Sequence, residues 1–158
     1  YMHHKTDAEL AALYQPVLRS HGIEVSDAVA GKAAGIMKER ATFTTDLWDL
    51  TSFFFVAPAE YEEKQAKKYW KGQNPAILRE LRGVLEGIDD FSLENTERIV
   101  HAWIEEKGYG MGQVMNTLRL ALVGAGKGPG MYDVTSFIGK AECLKRIDNL
   151  LNNLKPAE

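Results

Sequence analysis

Cysteine is nearly missing from this chain: Cys143 is the only one in 158 residues. One thiol excludes an intrachain disulfide and any zinc site built on several thiolates. It stands in an apolar row with Ile147 and reads as a small core residue. Long apolar runs are missing as well. None approaches the ~20 residues of a membrane span, and the N-terminus carries no signal-peptide pattern, so a cytoplasmic protein with no membrane partner is expected. The histidines, His3, His4, His21 and His101, form no metal-ligand spacing. Charge of one sign does not dominate either. The formal net charge is -3, with 45% apolar and 26% charged residues, which is ordinary for a globular protein of one domain or two small subdomains. The chain opens on Tyr1 rather than Met, which points to a piece of something longer; a monomer is expected.

What the chain does have is concentrated in Met111 to Met131, MGQVMNTLRLALVGAGKGPGM, a stretch without a single acid. Gly124, Gly126, Gly128 and Gly130 alternate with Ala125, Lys127 and Pro129. Positions lacking Cβ let backbone N–H and C=O groups come close to a partner, and Lys127 with Arg119 bias that partner toward negative charge or carbonyl oxygen. Gly124 is equally suited to ending a helix, with a plain surface loop after it. From Lys107 to Arg146 there are six basic residues (Lys107, Arg119, Lys127, Lys140, Lys145, Arg146) against two acids (Asp133, Glu142), a local +4 in a chain of net -3. That imbalance suggests a basic face, either solvated or turned to an anionic partner.

The periodicity is helical throughout. Thr6 with Glu9 makes a capping box for a first helix that Gly22 stops, with Pro16 inside it as a kink or boundary. Ser26 and Asp27 cap a second, with Val29, Ala33, Ile36 and Met37 inward and Arg40 projecting at its end, where solvent charge is the simplest reading. Thr42 to Thr45 form a turn, and Trp48, Phe53, Phe54 and Phe55 give an aromatic core for the first half. Pro58 suits the first turn of a further helix. KGQNPA at Lys71 to Ala76 breaks the pattern and sets an expected boundary between subdomains 1–72 and 73–158. In the second half, Leu78, Leu81 and Leu85 form one stripe, Ser92 caps the next helix, and Val114, Leu118 and Leu122 face inward on another. Asp133 can cap a short helix closed by Gly139, and Cys143, Ile147, Leu150 and Leu154 carry the last. The expected fold is all-α, two small helical bundles.

Little in these residues speaks for catalysis. A strand reading of Leu118 to Val123 running into Gly124 and Gly126 would open a dinucleotide fingerprint, but Pro129 occupies the third glycine position and no flanking strands supply a sheet. A phosphate loop of the Walker type fails because Gly128, not Ser or Thr, follows Lys127. The acid pairs Asp89–Asp90 and Glu105–Glu106 fall on polar helix faces. Single-stranded RNA matches better: splayed bases need backbone groups at close range, a guanidinium fork and a flat apolar platform, which Arg119, the Gly128 to Gly130 backbone, Pro129 and Met131 can provide. A helical protein-interaction domain is the alternative.

LRLALVGAGKGPGMYDVTSFIGKAECLKRI, Leu118 to Ile147, resembles the C-terminal anticodon-binding region of bacterial glutamyl-tRNA synthetases, where LR-A-x-TG-x-G-x-x-P precedes an IGK-like segment. MKERATFTTDLWDL at Met37 to Leu50 is similar to its ERxxT element and FSLENTERIVHAW at Phe91 to Trp103 to its WTxENxxxxI element. The likeness is collinear over nearly the whole chain, with residues 1–10 matching the tail of the preceding domain. It implies a helical anticodon-binding cage whose partner is the anticodon loop of glutamate-accepting tRNA. Carried over by position, Arg40 reads the third anticodon base, and Arg119, Gly128, Pro129, Gly130 and Met131 form the second cluster of contacts, to which Lys127 adds its charge. The chain departs from the family pattern at Phe43, Gln113, Thr117 and Val123. The HIGH-like and KMSKS-like signatures are absent, so the resemblance implies that ATP and Mg belong to a catalytic part elsewhere, that the parent is an ATP-dependent glutamate–tRNA ligase, and that this piece alone is inactive.

Overall fold

The computed structural model describes residues 7–37, 51–126 and 128–156. Thr6, Arg40, the 42–45 turn, Trp48 and Lys127 lie outside the described residues. Among those described there are eight α-helices, one short 3-10 helix and no β-strand, so the all-α expectation holds. The chain divides into two compact units, Tyr1–Val56 and Ala57–Glu158.

In the first unit α1 (Asp7–Ser20) and α2 (Asp27–Met37) pack as an antiparallel hairpin. α1 runs through Pro16 without interruption. It closes at Gly22, φ 76°, with Ile23 N–H donating to the Leu18 carbonyl and Gly22 N–H to the Arg19 carbonyl. That paired closure is a Schellman turn, which needs a residue in the left-handed region. Ser26 Oγ accepts the Val29 amide at 3.3 Å as the N-cap of α2. Gln15 spans the connection, its Nε2 donating to the Val25 carbonyl and to Asp27 Oδ1. Ala30, Ala33 and Ala34 are the buried row of α2, while Val29 is 37% exposed. This corrects the expected inward face: small residues let α1 and α2 approach closely, and the branched Val29 turns out. Tyr14 hydrogen-bonds Thr51, and Phe53 and Phe54 of the 3-10 helix (Ser52–Phe54) are buried with ring centroids 4.5 Å apart.

The second unit holds α3 (Glu63–Tyr69), α4 (Asn74–Glu86), α5 (Leu93–Lys107), α6 (Met111–Leu122), α7 (Met131–Ile138) and α8 (Lys140–Asn153). The stripe Ile77, Leu78, Leu81 and Leu85 faces inward, α4 packing on α6 and α8, while Val100 and Ile104 of α5 and Val134 of α7 extend the core. Ser92 Oγ accepts the Asn95 amide at the start of α5, and Gly108, φ 72°, ends it. Pro75 lies in the first turn of α4, where its missing N–H costs nothing.

The contact boundary falls after Val56, ahead of the 72/73 break expected from KGQNPA. That segment is a local turn, with Gly72 at φ 58° and Asn74 N–H on the Lys71 carbonyl. The residues before it belong to the second unit, because Glu62 N–H donates to the Gly124 carbonyl at 2.7 Å and Trp70 Nε1 to the Leu154 carbonyl at 2.8 Å. Pro58 does not start a helix: α3 begins at Glu63, and 58–62 is an irregular strut.

Candidate nucleic-acid interface

The glycine-rich loop joins α6 to α7. At its entry, Val123 N–H reaches the Arg119 carbonyl and Gly124 N–H the Leu120 carbonyl, which satisfies the last turn of α6. Gly124 is fixed as glycine twice over. Its φ is 80°, and a Cβ there would stand 2.6 Å from Pro58 Cβ and 2.9 Å from the Glu60 carbonyl oxygen. The strut Pro58–Glu62 therefore presses directly on the loop base and ties it with the Glu62–Gly124 hydrogen bond.

A second tie comes from Arg146 of α8. Its guanidinium is 1% exposed; Nε donates to Glu142 Oε2 at 2.7 Å and Nη1 to the Leu122 carbonyl at 2.9 Å. A buried charge needs both a counter-ion and its hydrogen bonds filled, and the terminal carbonyl of α6 fills one of them. The composition-based basic face is thereby dispersed. Arg146 is interior, Lys140 Nζ donates to the Glu86 and Ile88 carbonyls at the end of α4, and Lys107 lies 3.8 Å from Glu80. Arg146 shares the inward row with Cys143, Ile147 and Leu150, so its i, i+4 spacing to Leu150 was the sequence signal for burial.

At its exit the loop runs into α7, whose N-cap is Gly130 (φ -55°, ψ 144°), the Asp133 amide donating to its carbonyl. Asp133 is thus the acid of the first turn rather than the cap, because the backbone at Gly130 already carries the capping geometry. Gly128 has φ 112° and is half-exposed, and Gly130 is exposed. Pro129 and Met131 are turned inward, Met131 4% exposed. Among the expected contacts, then, Gly128 is half-exposed and Gly130 exposed, Pro129 and Met131 anchor the turn from beneath, and Arg119, half-exposed, stands in the last turn of α6.

Beside the exit, Tyr132 is buried against α5, its ring 5.3 Å from His101 in an edge arrangement. Burial, with Glu97 nearby, pushes its phenol well up, and among the described residues the hydroxyl has no hydrogen-bond partner. Burial also pushes the Cys143 thiol up to about 12, against the pull of Arg146. This thiol is no nucleophile. Among the described residues no group of three or more His, Cys, Asp or Glu is placed to hold a metal, and no helix is long and apolar enough to cross a membrane.

Known proteins match this chain over nearly its whole length. A family profile described as "Anticodon binding domain" matches residues 9–151. The glutamate–tRNA ligase of Phocaeicola vulgatus is 49% identical over 155 residues, covering 98% of this chain and 31% of that protein. That of Bacteroides fragilis is 48% identical over the same span. Among solved structures, a glutamate tRNA ligase from Elizabethkingia meningosepticum in complex with its amino acid superposes with a TM-score of 0.92 at 39% identity, over 98% of this chain and 31% of that one. The glutamate–tRNA synthetase of Elizabethkingia anophelis gives 0.86 at 37% identity, over 97% of this chain and 30% of that one. The chain spans about a third of these relatives' length and belongs to the anticodon-binding domain family.

Proposed function

We propose that this chain reads the anticodon loop of glutamate-accepting tRNA as part of an ATP-dependent glutamate–tRNA ligase. The carrying observation is the loop at 124–130, braced at Gly124 and at Leu122, with Gly128 half-exposed and Gly130 exposed. Unpaired bases are recognised by such close-range backbone groups together with a guanidinium, which Arg119 supplies. Lys127 adds phosphate attraction. Arg40 is the reader of the third anticodon base: a fixed fork of donors suits the acceptors of cytosine and opposes the donors guanine presents. The chemistry, with its ATP and Mg, belongs to the rest of such a ligase, since the glycine loop has neither the third glycine of a dinucleotide turn nor the Ser or Thr of a phosphate loop. The setting is the cytoplasm and the working form a monomer.

Titration of the chain with glutamate tRNA, and with the same tRNA carrying guanine in place of cytosine at the third anticodon base, tests the reading. Discrimination of about tenfold or more is expected, in line with the ~1–3 kcal/mol of a good base contact. Equal affinity for the two RNAs would mean a helical domain that does not read the anticodon.

A further inference from the structure

The loop has a neighbour that neither the glycine pattern nor its basic residues point to. Gln65 lies on α3, three residues after Glu62, whose amide is bound to the Gly124 carbonyl at 2.7 Å. The hydrogen bond that braces the loop base therefore also fixes where Gln65 stands. A Cβ on Gly126 would be 2.7 Å from Gln65 Cδ, 2.7 Å from Nε2 and 3.0 Å from Oε1. A point almost equidistant from all three atoms of a planar group lies above its face. The carboxamide thus rests flat on Gly126, and only glycine leaves room for it.

With the face covered, what remains to be offered is the edge, an N–H donor beside a C=O acceptor. Among the described residues that edge takes no hydrogen bond, and the side chain is half-buried. The contact holds the amide beside the loop while its polar atoms are unspent, which suits a reading group. The surroundings select the kind of ligand. Glu60 and Glu62 are exposed on the same strut, so a phosphate arriving here meets like charge, whereas a neutral base edge does not.

We propose that Gln65 is a specificity-determining contact, pairing its amide edge with the edge of one unpaired base held at the glycine loop. This rests on the anticodon-reading function proposed above. The test measures binding of the chain to anticodon stem-loops in which each anticodon base is replaced in turn, for the wild type, Gln65→Ala and Gln65→Met. Methionine keeps the length and the packing on Gly126 but has no amide edge. Both variants are expected to lose about tenfold in preference at one anticodon position and to keep wild-type preference at the other two. Far-UV circular dichroism confirms equal folding. If Gln65→Met keeps full preference, or if both variants weaken every RNA equally, Gln65 only props the loop and the proposal is overturned. If the wild type itself shows no preference at any position, the anticodon reading fails and this inference with it, an outcome distinct from a selective wild type with equally selective variants.

Discussion

Gly124→Ala isolates the brace beneath the loop. The substitution forces an L-residue into φ 80° and drives its Cβ to 2.6 Å from Pro58 Cβ and 2.9 Å from the Glu60 carbonyl oxygen. Left-handed backbone costs an L-residue ~1–2 kcal/mol. Pushing the strut away also loses the hydrogen bond from Glu62 to Gly124, a net ~0.5–1.5 kcal/mol. Together about 2–3 kcal/mol are at stake, roughly a 30- to 150-fold fall in the folded-to-unfolded ratio. Gly126→Ala is the control, because that position lacks a positive φ and its Cβ would meet only the end of the Gln65 side chain. Its cost is expected to stay below ~1 kcal/mol, since a flexible side chain can swing aside. Urea denaturation gives the stabilities. Amide hydrogen exchange at Glu62 shows whether the brace has opened, since protection there depends on the Gly124 carbonyl. A Gly124→Ala variant as stable as Gly126→Ala, with the Glu62 amide still protected, would refute the reasoning.

Arg146→Ala leaves the buried Leu122 carbonyl without its donor, while the Glu142 carboxylate, a third exposed, turns to water; a loss of ~1–3 kcal/mol is expected in urea denaturation, and Arg146→Lys, with one point of charge for two contacts, should recover only part of it. Arg119→Ala should erode discrimination among anticodons more than overall affinity, while Lys127→Ala should weaken all RNAs alike and reduce the salt slope by about one; identical behaviour of the two, read from titrations at several salt concentrations, would reject the division of labour. Cys143, held at about 12, stays a thiol in the fold at a pH where the unfolded chain ionises. The unfolded state then binds fewer protons, so stability should fall as pH rises from about 9 toward 12, by up to ~1.4 kcal/mol per pH unit for this group. Cys143→Ala should flatten that decline in alkaline urea titrations.

The helices of the second unit were legible because their apolar periodicity agrees with their punctuation: Ser92 and Gly108 bracket α5, and Gly139 parts α7 from α8. What misled was punctuation without tertiary context. Gly72 and Pro75 signal a break equally well inside a bundle and between bundles, and only the contacts of Glu62 and Trp70 show which it is. Pro58 reads as a helix opener until its ring is seen against Gly124. Arg146 adds to a basic face in a tally of charge, which ignores register, although it shares a helical row with Cys143, Ile147 and Leu150. For the interface, the glycine alternation marked the loop, but Gln65 could not be found that way, since nothing in its own neighbourhood of sequence distinguishes it from any polar residue on a short charged helix.

Gly139 is the whole of the connection between α7 and α8, at φ 86° and ψ 164°. From Leu122 the chain passes through the loop, along α7, over that single residue and into α8, where Arg146 returns a hydrogen bond to the Leu122 carbonyl. The path is a closed ring, part covalent and part hydrogen-bonded, with a single residue at the corner between its two helices. Parting α6 from α8 at the loop entry requires extracting a buried guanidinium. The two ends of such a loop are ordered during folding, before any ligand arrives. The entropy of ordering is then not charged against binding. On the proposed function, the corresponding loss is adaptability at those ends: a base of the wrong shape meets a frame that is already set, and rejection becomes a matter of geometry as well as of weaker attraction.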